Sequence, residues 1–258
     1  MTSAVVSLTV VYILTKIAAA QPDPVHPPVI DMHVHSTNTS PQQALARMKA
    51  LNIRYLFVSS LTVDLPAWAA QLDATAFVPA LVLPCDAGRA PITGRPCWEG
   101  TESFPNTTWL RGELQAGRVK ALGEISPQYL GIAPDDPRLE PYWQLAEDYD
   151  VPVGLHLGTG PAGAAYDSNK APFKSPAFTV SAGDPLRLEG VLLRHKRLRV
   201  FVMHAGWPRL DSMLALLYGH PQVYVDVAAL QAPYILPRSG YLRYLRDLVE
   251  SGFGQRSE

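Results

Sequence analysis

The sequence predicts an α/β fold: a TIM-type (β/α)8 barrel that lacks its eighth βα unit. Three observations predict it. First, apolar runs of strand length alternate with helical segments along most of the chain, and alternating βα units build a parallel sheet. Second, four of the seven histidines close such runs: His33 and His35 the first, His156 a later one and His204 the next, while Glu124 ends another. Side chains on the ends of several parallel strands meet at one mouth in a closed barrel, whereas an open sheet would hold them apart. Third, no glycine fingerprint follows the first strand, where Ser36-Thr37-Asn38-Thr39-Ser40 stands. That removes the dinucleotide signal of an open, doubly wound sheet.

The elements follow in order. Val29–His35 reads as the first strand, and Pro41–Leu51 as a helix capped by Ser40. Ile53–Ser60 is the second strand, followed by a short helix near Pro66–Leu72 capped by Asp64. Phe77–Leu83 is the third strand, then a polar loop, then a helix over Trp109–Ala116. Val119–Ile125 is the fourth strand and Pro137–Tyr149 its helix, with Pro137 in the tolerated first turn. Val151–Leu157 is the fifth strand. A loop rich in Gly, Ala, Pro and Ser runs from Gly158 to Gly183, and Asp184 then caps a helix over Pro185–His195. Arg199–His204, a helix over Arg209–Tyr218, the strand Val223–Val227 and a helix over Gly240–Ser251 complete the pattern. Several strands are nearly continuous apolar runs, as burial on both faces requires. The count is seven strands and seven helices. On this reading the chain stops where an eighth strand should begin, and the first and seventh strands keep open edges that cost stability and invite association. A homo-oligomer is therefore an open alternative.

The 258 residues suit one large domain or two small ones, and 47% hydrophobic content suffices for a sizeable core. The net charge of −1, with no basic stripe, argues against nucleic-acid binding. Residues 1–20 read as a secretory signal peptide. Ala4 to Leu14 is almost wholly apolar, and Ala18-Ala19-Ala20 precedes Gln21. The apolar stretch is short for a bilayer, so no stable membrane span is expected after cleavage, and the location is secreted or periplasmic. Met1-Thr2-Ser3 carries no basic side chain, which keeps an N-terminal anchor or a misassigned start as alternatives. Residues 21–28 form a proline-rich linker and 29–258 the barrel. Cys85 and Cys97 bracket a polar loop with two glycines and two prolines. A disulfide there fits an oxidising compartment; two free thiols in a cytosolic protein are the alternative.

A lone histidine beside an apolar run is more often a hydrogen-bonded core residue than a ligand. Four placed alike on separate strands point to a site. Strand side chains alternate with period two, so His33 and His35 face the same way and offer a pair of metal ligands. The remaining histidines differ. His195 lies in a basic helix end, His220 precedes Pro221, and His26 sits in the proline-rich leader.

These residues resemble a known family. Ile30-Asp31-Met32-His33-Val34-His35 is similar to the opening histidine pair of the amidohydrolase superfamily, in particular its amidohydrolase-related branch of lactonases and aromatic-acid decarboxylases. Leu155-His156 resembles the metal-binding histidine that ends strand five, and Met203-His204-Ala205-Gly206 the one that ends strand six. Gly123-Glu124 stands where binuclear relatives carry a carboxylated lysine or a glutamate; a carboxylate paired with a neighbouring strand is its other reading. The resemblance implies a divalent metal, zinc above all, with manganese or iron as alternatives. Its ligands would be His33, His35 and His156, with Glu124 and His204 completing one site or holding a second metal. It implies hydrolysis of a small ester, lactone or amide by a metal-activated water. Glu124 and His204 would be the catalytic pair, His204 holding the carbonyl oxygen or a second metal. A truncated, non-catalytic relative that binds only metal or ligand and a metal-dependent decarboxylase are the alternatives. The family's strand-eight aspartate has no counterpart here. Asp226 lies on strand seven and is not equated with it. Arg209, or Lys170 or Lys174 in the long loop, is expected to hold a substrate carboxylate, although each also reads as a solvated loop charge.

Overall fold

The computed structural model describes residues 28–73, 75–91, 93–166 and 175–253. The expected signal peptide, most of the linker, and Lys170 and Lys174 lie outside the described residues. Seven parallel strands pair in sequence order: β1 (Val29–His35), β2 (Ile53–Ser60), β3 (Phe77–Leu83), β4 (Ala121–Ile125), β5 (Val153–His156), β6 (Val200–Met203) and β7 (Val223–Val225). The helices between and after them are α1 (Pro41–Leu51), α2 (Leu65–Ala69), α3 (Thr107–Gln115), α4 (Glu140–Asp148), α5 (Glu189–Arg194), α6 (Leu210–Gly219) and α7 (Arg238–Leu248). Among the described residues β1 and β7 are not paired. The sheet nevertheless curls far enough for Asp226, next to β7, to reach His33 on β1, with 3.0 Å between Oδ2 and Nδ1. The architecture is the expected seven-stranded, open form of an α/β barrel.

Strand alternation divides the core in two. Leu56, Val58, Leu81, Leu83, Leu122, Leu155, Val200 and Val202 pack outward with helix residues such as Leu110, Trp143, Leu192 and Leu216. Phe57, Ala80, Ala121, Phe201 and Met203 fill the inside of the curl, with Met32, Val78 and Tyr224 beside them. Phe57 and Phe201 meet edge to face across that interior, ring centroids 4.9 Å apart. The inward residues end in one layer at the C-terminal ends of the strands, and that layer is polar.

Several boundaries differ from expectation. Ser40 does cap α1, in a reciprocal capping box with Gln43. Asp64 does not cap α2 with its side chain; it is drawn away by Arg95 and by the Ser36 hydroxyl. Pro137 does not open α4, which begins at Glu140. The preceding turn is held instead by Trp143 Nε1, which donates to the Pro134 carbonyl at 3.0 Å. The helix expected over Pro185–His195 divides into a 3-10 turn, Pro185–Leu188, and α5.

Cys85 and Cys97 are bridged, at a sequence separation of 12 and with both residues fully buried. Closing a loop of that length restricts the unfolded chain and is worth about 3 kcal/mol. We expect no thiol to react in denatured, unreduced protein, and replacement of both cysteines by serine to lower the urea-unfolding free energy by about that amount. Two titratable thiols per chain would remove the bridge.

Candidate metal centre

The site is assembled by strand geometry, with two irregularities that periodicity does not show. On β1, Asp31 pairs with Leu56 and Val34 with Val58, so three steps on one strand match two on the other. On β4, Leu122 pairs with Val153 and Ile125 with Leu155, the same mismatch. Such bulges re-aim side chains and recur beside active sites. Here the first lies at His33 and the second at Glu124. His156 ends β5 and Asp226 follows β7 in the same alternation as Tyr224. His204 begins the turn after β6, with a left-handed φ of 56°.

Together they make one cluster. Glu124 lies at its centre, with Oε1 2.5 Å from His156 Nδ1 and Oε2 3.1 Å from His35 Nε2 and 3.7 Å from His33 Nε2. The rings of His33 and His35 are 5.2 Å apart, those of His33 and His204 4.9 Å, and those of His156 and His204 4.9 Å. Asp226 Oδ1 accepts from the backbone N–H groups of His204 and Ala228, each at 3.0 Å. His204 Nδ1 lies 2.8 Å from the Ala228 carbonyl, so that nitrogen carries a proton.

Burial and charge oppose one another in the metal-free cluster. Burial pushes the His33 imidazolium down, but Asp226 and Glu124 outweigh it and raise its pKa to about 10. Burial pushes Glu124 up, and hydrogen bonds from His156, His33 and His35 overcome this and hold it well below the usual carboxylate range. Burial, reinforced by the neighbouring His156 and His33, lowers His204 to about 4, so near neutral pH it is uncharged. Burial raises Asp226, and the charge of His33 prevails and lowers it.

Three overlapping sets present ligand atoms within 4.8 Å of one another: His33, His35 and Glu124; Glu124, His156 and His204; and His33, His204 and Asp226. His156 Nε2 is buried and, among the described residues, has no hydrogen-bond partner. A buried, unpaired ring nitrogen costs free energy unless something accepts its lone pair or proton. Imidazoles with carboxylates are the donors that divalent transition metals prefer, so the residues fit such an ion.

All five residues expected to bind metal therefore come together. Asp226, which sequence reasoning set aside, joins them; its shared alternation with Tyr224 was a usable signal for its inward direction. Arg209 is ion-paired in the structure, its Nη1 donating to Asp184 Oδ2 at 2.9 Å. Nearer the cluster, Tyr129 packs edge-on to His156 at 5.3 Å and against Phe178 at 5.2 Å.

Fold and site define the class: a parallel α/β barrel with a histidine–carboxylate cluster at its C-terminal mouth. A family model described as Amidohydrolase matches residues 105–256. The chain belongs to the amidohydrolase family, and its solved neighbours share the fold. An uncharacterized TIM-barrel protein from Bordetella bronchiseptica superposes with TM-score 0.54 at 17% identity, covering 84% of this chain and 67% of that one. A dihydroorotase from Campylobacter jejuni gives 0.51 at 15%, covering 90% and 67%. A probable 2-pyrone-4,6-dicarboxylic acid hydrolase from Acinetobacter baumannii gives 0.51 at 12%, covering 88% and 81%. No curated protein matches the chain.

Proposed function

We propose that this protein is a metal-dependent hydrolase of a small ester, lactone or amide. The observation that carries this reading is the convergence of His33, His35, His156 and His204 on Glu124, with His156 Nε2 buried and without a hydrogen-bond partner among the described residues. Zinc suits the donor set, with manganese or iron as alternatives. A divalent ion bound there would activate water at neutral pH and polarise a carbonyl. The chain's own residues supply the rest. His33, His35 and His156 would hold the ion, and Glu124, negatively charged between three imidazoles, sets their orientation and would balance its charge. His204, neutral and with its proton on Nδ1, turns an acceptor nitrogen to the site. That favours it as a ligand or proton acceptor over a donor to the carbonyl oxygen. Tyr129 and Phe178 add an aromatic wall beside His156. Secretion is part of the same reading, supported by the leader composition and by the Cys85–Cys97 bridge.

The neighbours of similar fold include both a hydrolase and a 2,6-dihydroxybenzoate decarboxylase from Rhizobium, and the same cluster would serve a metal-dependent decarboxylase. The test is turnover of a panel of lactones, esters, amides and aromatic carboxylic acids by zinc- or manganese-loaded protein. Hydrolysis that stops on chelation and returns with metal is the expected result. Carbon dioxide release without hydrolysis would replace the assignment by decarboxylation. Full metal occupancy without turnover of any substrate would reduce it to a binding protein.

A further inference from the structure

We infer that Asp226 is a positioning residue that sets the ligand geometry of His33 and His204 together, fastening the two edges of the open barrel across the site. The inference rests on the metal-centre reading and adds a residue to it. It starts from β7, a short strand whose continuation turns sharply, with Ala229 at a left-handed φ of 64°. Asp226 is 4% exposed there, and both of its carboxylate oxygens are engaged. Oδ1 takes two backbone N–H groups, one from His204 on the neighbouring turn and one from Ala228 on its own. Oδ2 faces His33 Nδ1 at 3.0 Å on β1.

Each contact has a consequence for a ligand nitrogen. A carboxylate accepts hydrogen bonds and donates none, so His33 Nδ1 carries a proton and Nε2 is the nitrogen left for the cluster. Oδ1 fixes the His204 backbone and also the Ala228 peptide. The carbonyl of Ala228 then accepts from His204 Nδ1, which again leaves Nε2 as the ligating nitrogen. One carboxylate thus orients two imidazoles from two strands, one directly and one through a peptide. With both oxygens occupied, Asp226 is arranged to orient ligands and not to be one. Carboxylates behind metal-binding imidazoles fix ring orientation and raise basicity, and their loss costs about 10–100-fold in metal affinity.

The decisive variant is Asp226→Asn. The amide oxygen can still accept both backbone N–H groups, but the amide nitrogen facing His33 can only donate. His33 would have to accept at Nδ1 and carry its proton on Nε2. We expect zinc affinity, measured by competition with a chromophoric chelator, to fall about 10–100-fold. Histidine-labelled ¹⁵N NMR, with His33→Gln to assign the signal, should show a protected proton on His33 Nδ1 in wild type, zinc-free and zinc-loaded, and none in Asp226→Asn. The wild-type measurement stands even if the variant fails to fold. A wild-type His33 without the Nδ1 proton, or an Asp226→Asn protein that binds zinc within twofold of wild type, would overturn the positioning role. Lost zinc affinity with the Nδ1 proton intact would instead make Asp226 a direct ligand and also overturn it. Wild type that binds no zinc would sink the metal-centre reading, while the Nδ1 proton would still decide the contact.

Discussion

His33→Ala and His156→Ala are each expected to lower zinc affinity by more than about 100-fold, and with it any metal-dependent turnover. The reasoning is comparative. Losing only a residue that orients a ligand costs about 10–100-fold, and here a ligand itself is removed. The two variants fail differently. His156→Ala removes the buried nitrogen that has no partner among the described residues and frees Glu124 Oε1 from its shortest contact. His33→Ala removes the imidazolium between Asp226 and Glu124. Leaving buried charges unpaired costs about 3–5 kcal/mol, so the metal-free His33 variant should also melt earlier. Protons compete for the same nitrogens. His33, raised to about 10 in the metal-free protein, must release a proton to bind metal, so affinity should rise with pH across the neutral range. Elemental analysis and chelator competition check the result. His195→Gln is the control, because the His195 ring nitrogens face Glu140 and Glu147. Unchanged metal content in both alanine variants would remove the centre.

How much of this was legible in the sequence depended on the range of the interaction. Period-two alternation placed His33 beside His35, and strand-length apolar runs placed His156 and His204 at strand ends, because each is a local property. The bulges at His33 and Glu124 are relations between two strands and leave no mark on either alone. Asp226 shows the same limit. Its inward direction follows from its spacing to Tyr224, but its partner is set by how far the sheet curls. Asp64 has the composition of a helix cap and sits in the right place, yet Arg95, brought over by the disulfide loop, takes both of its oxygens. Asn106 was the reverse case. It caps α3 through the N–H groups of Thr108 and Trp109, a local signal three residues upstream of the helix start read from the sequence, Trp109.

Gly158→Ala is the second substitution expected to have a large effect, and it reaches the site through the backbone. Gly158 lies two residues beyond His156, at φ +95°, a conformation open to glycine and strained for alanine. Its N–H donates to the Gly183 carbonyl and its carbonyl accepts from Gln128 Nε2, both at 2.8 Å. It therefore ties the end of β5 to the far end of the long loop and to the turn that follows β4. An added Cβ would overlap the Trp207 carbonyl oxygen and lie 2.9 Å from the Gly206 carbonyl carbon. Both are backbone atoms in the turn that carries His204, and neither can rotate away. Strain of this backbone type costs about 1–3 kcal/mol. With the overlap added, the total should reach about 3–4 kcal/mol, near the upper end for single substitutions. The chain can lower that cost only by moving the turn after β6 away from β5. That would separate His204 from His156, whose rings are 4.9 Å apart. Gly158→Ala should therefore unfold at lower urea and also bind metal more weakly at temperatures where it is still folded. Urea titration and zinc competition on the same preparation test the two effects together. Wild-type values in both would show that the two turns are not packed as described. A loss of stability with unchanged zinc affinity would show that the chain relieves the clash without displacing His204.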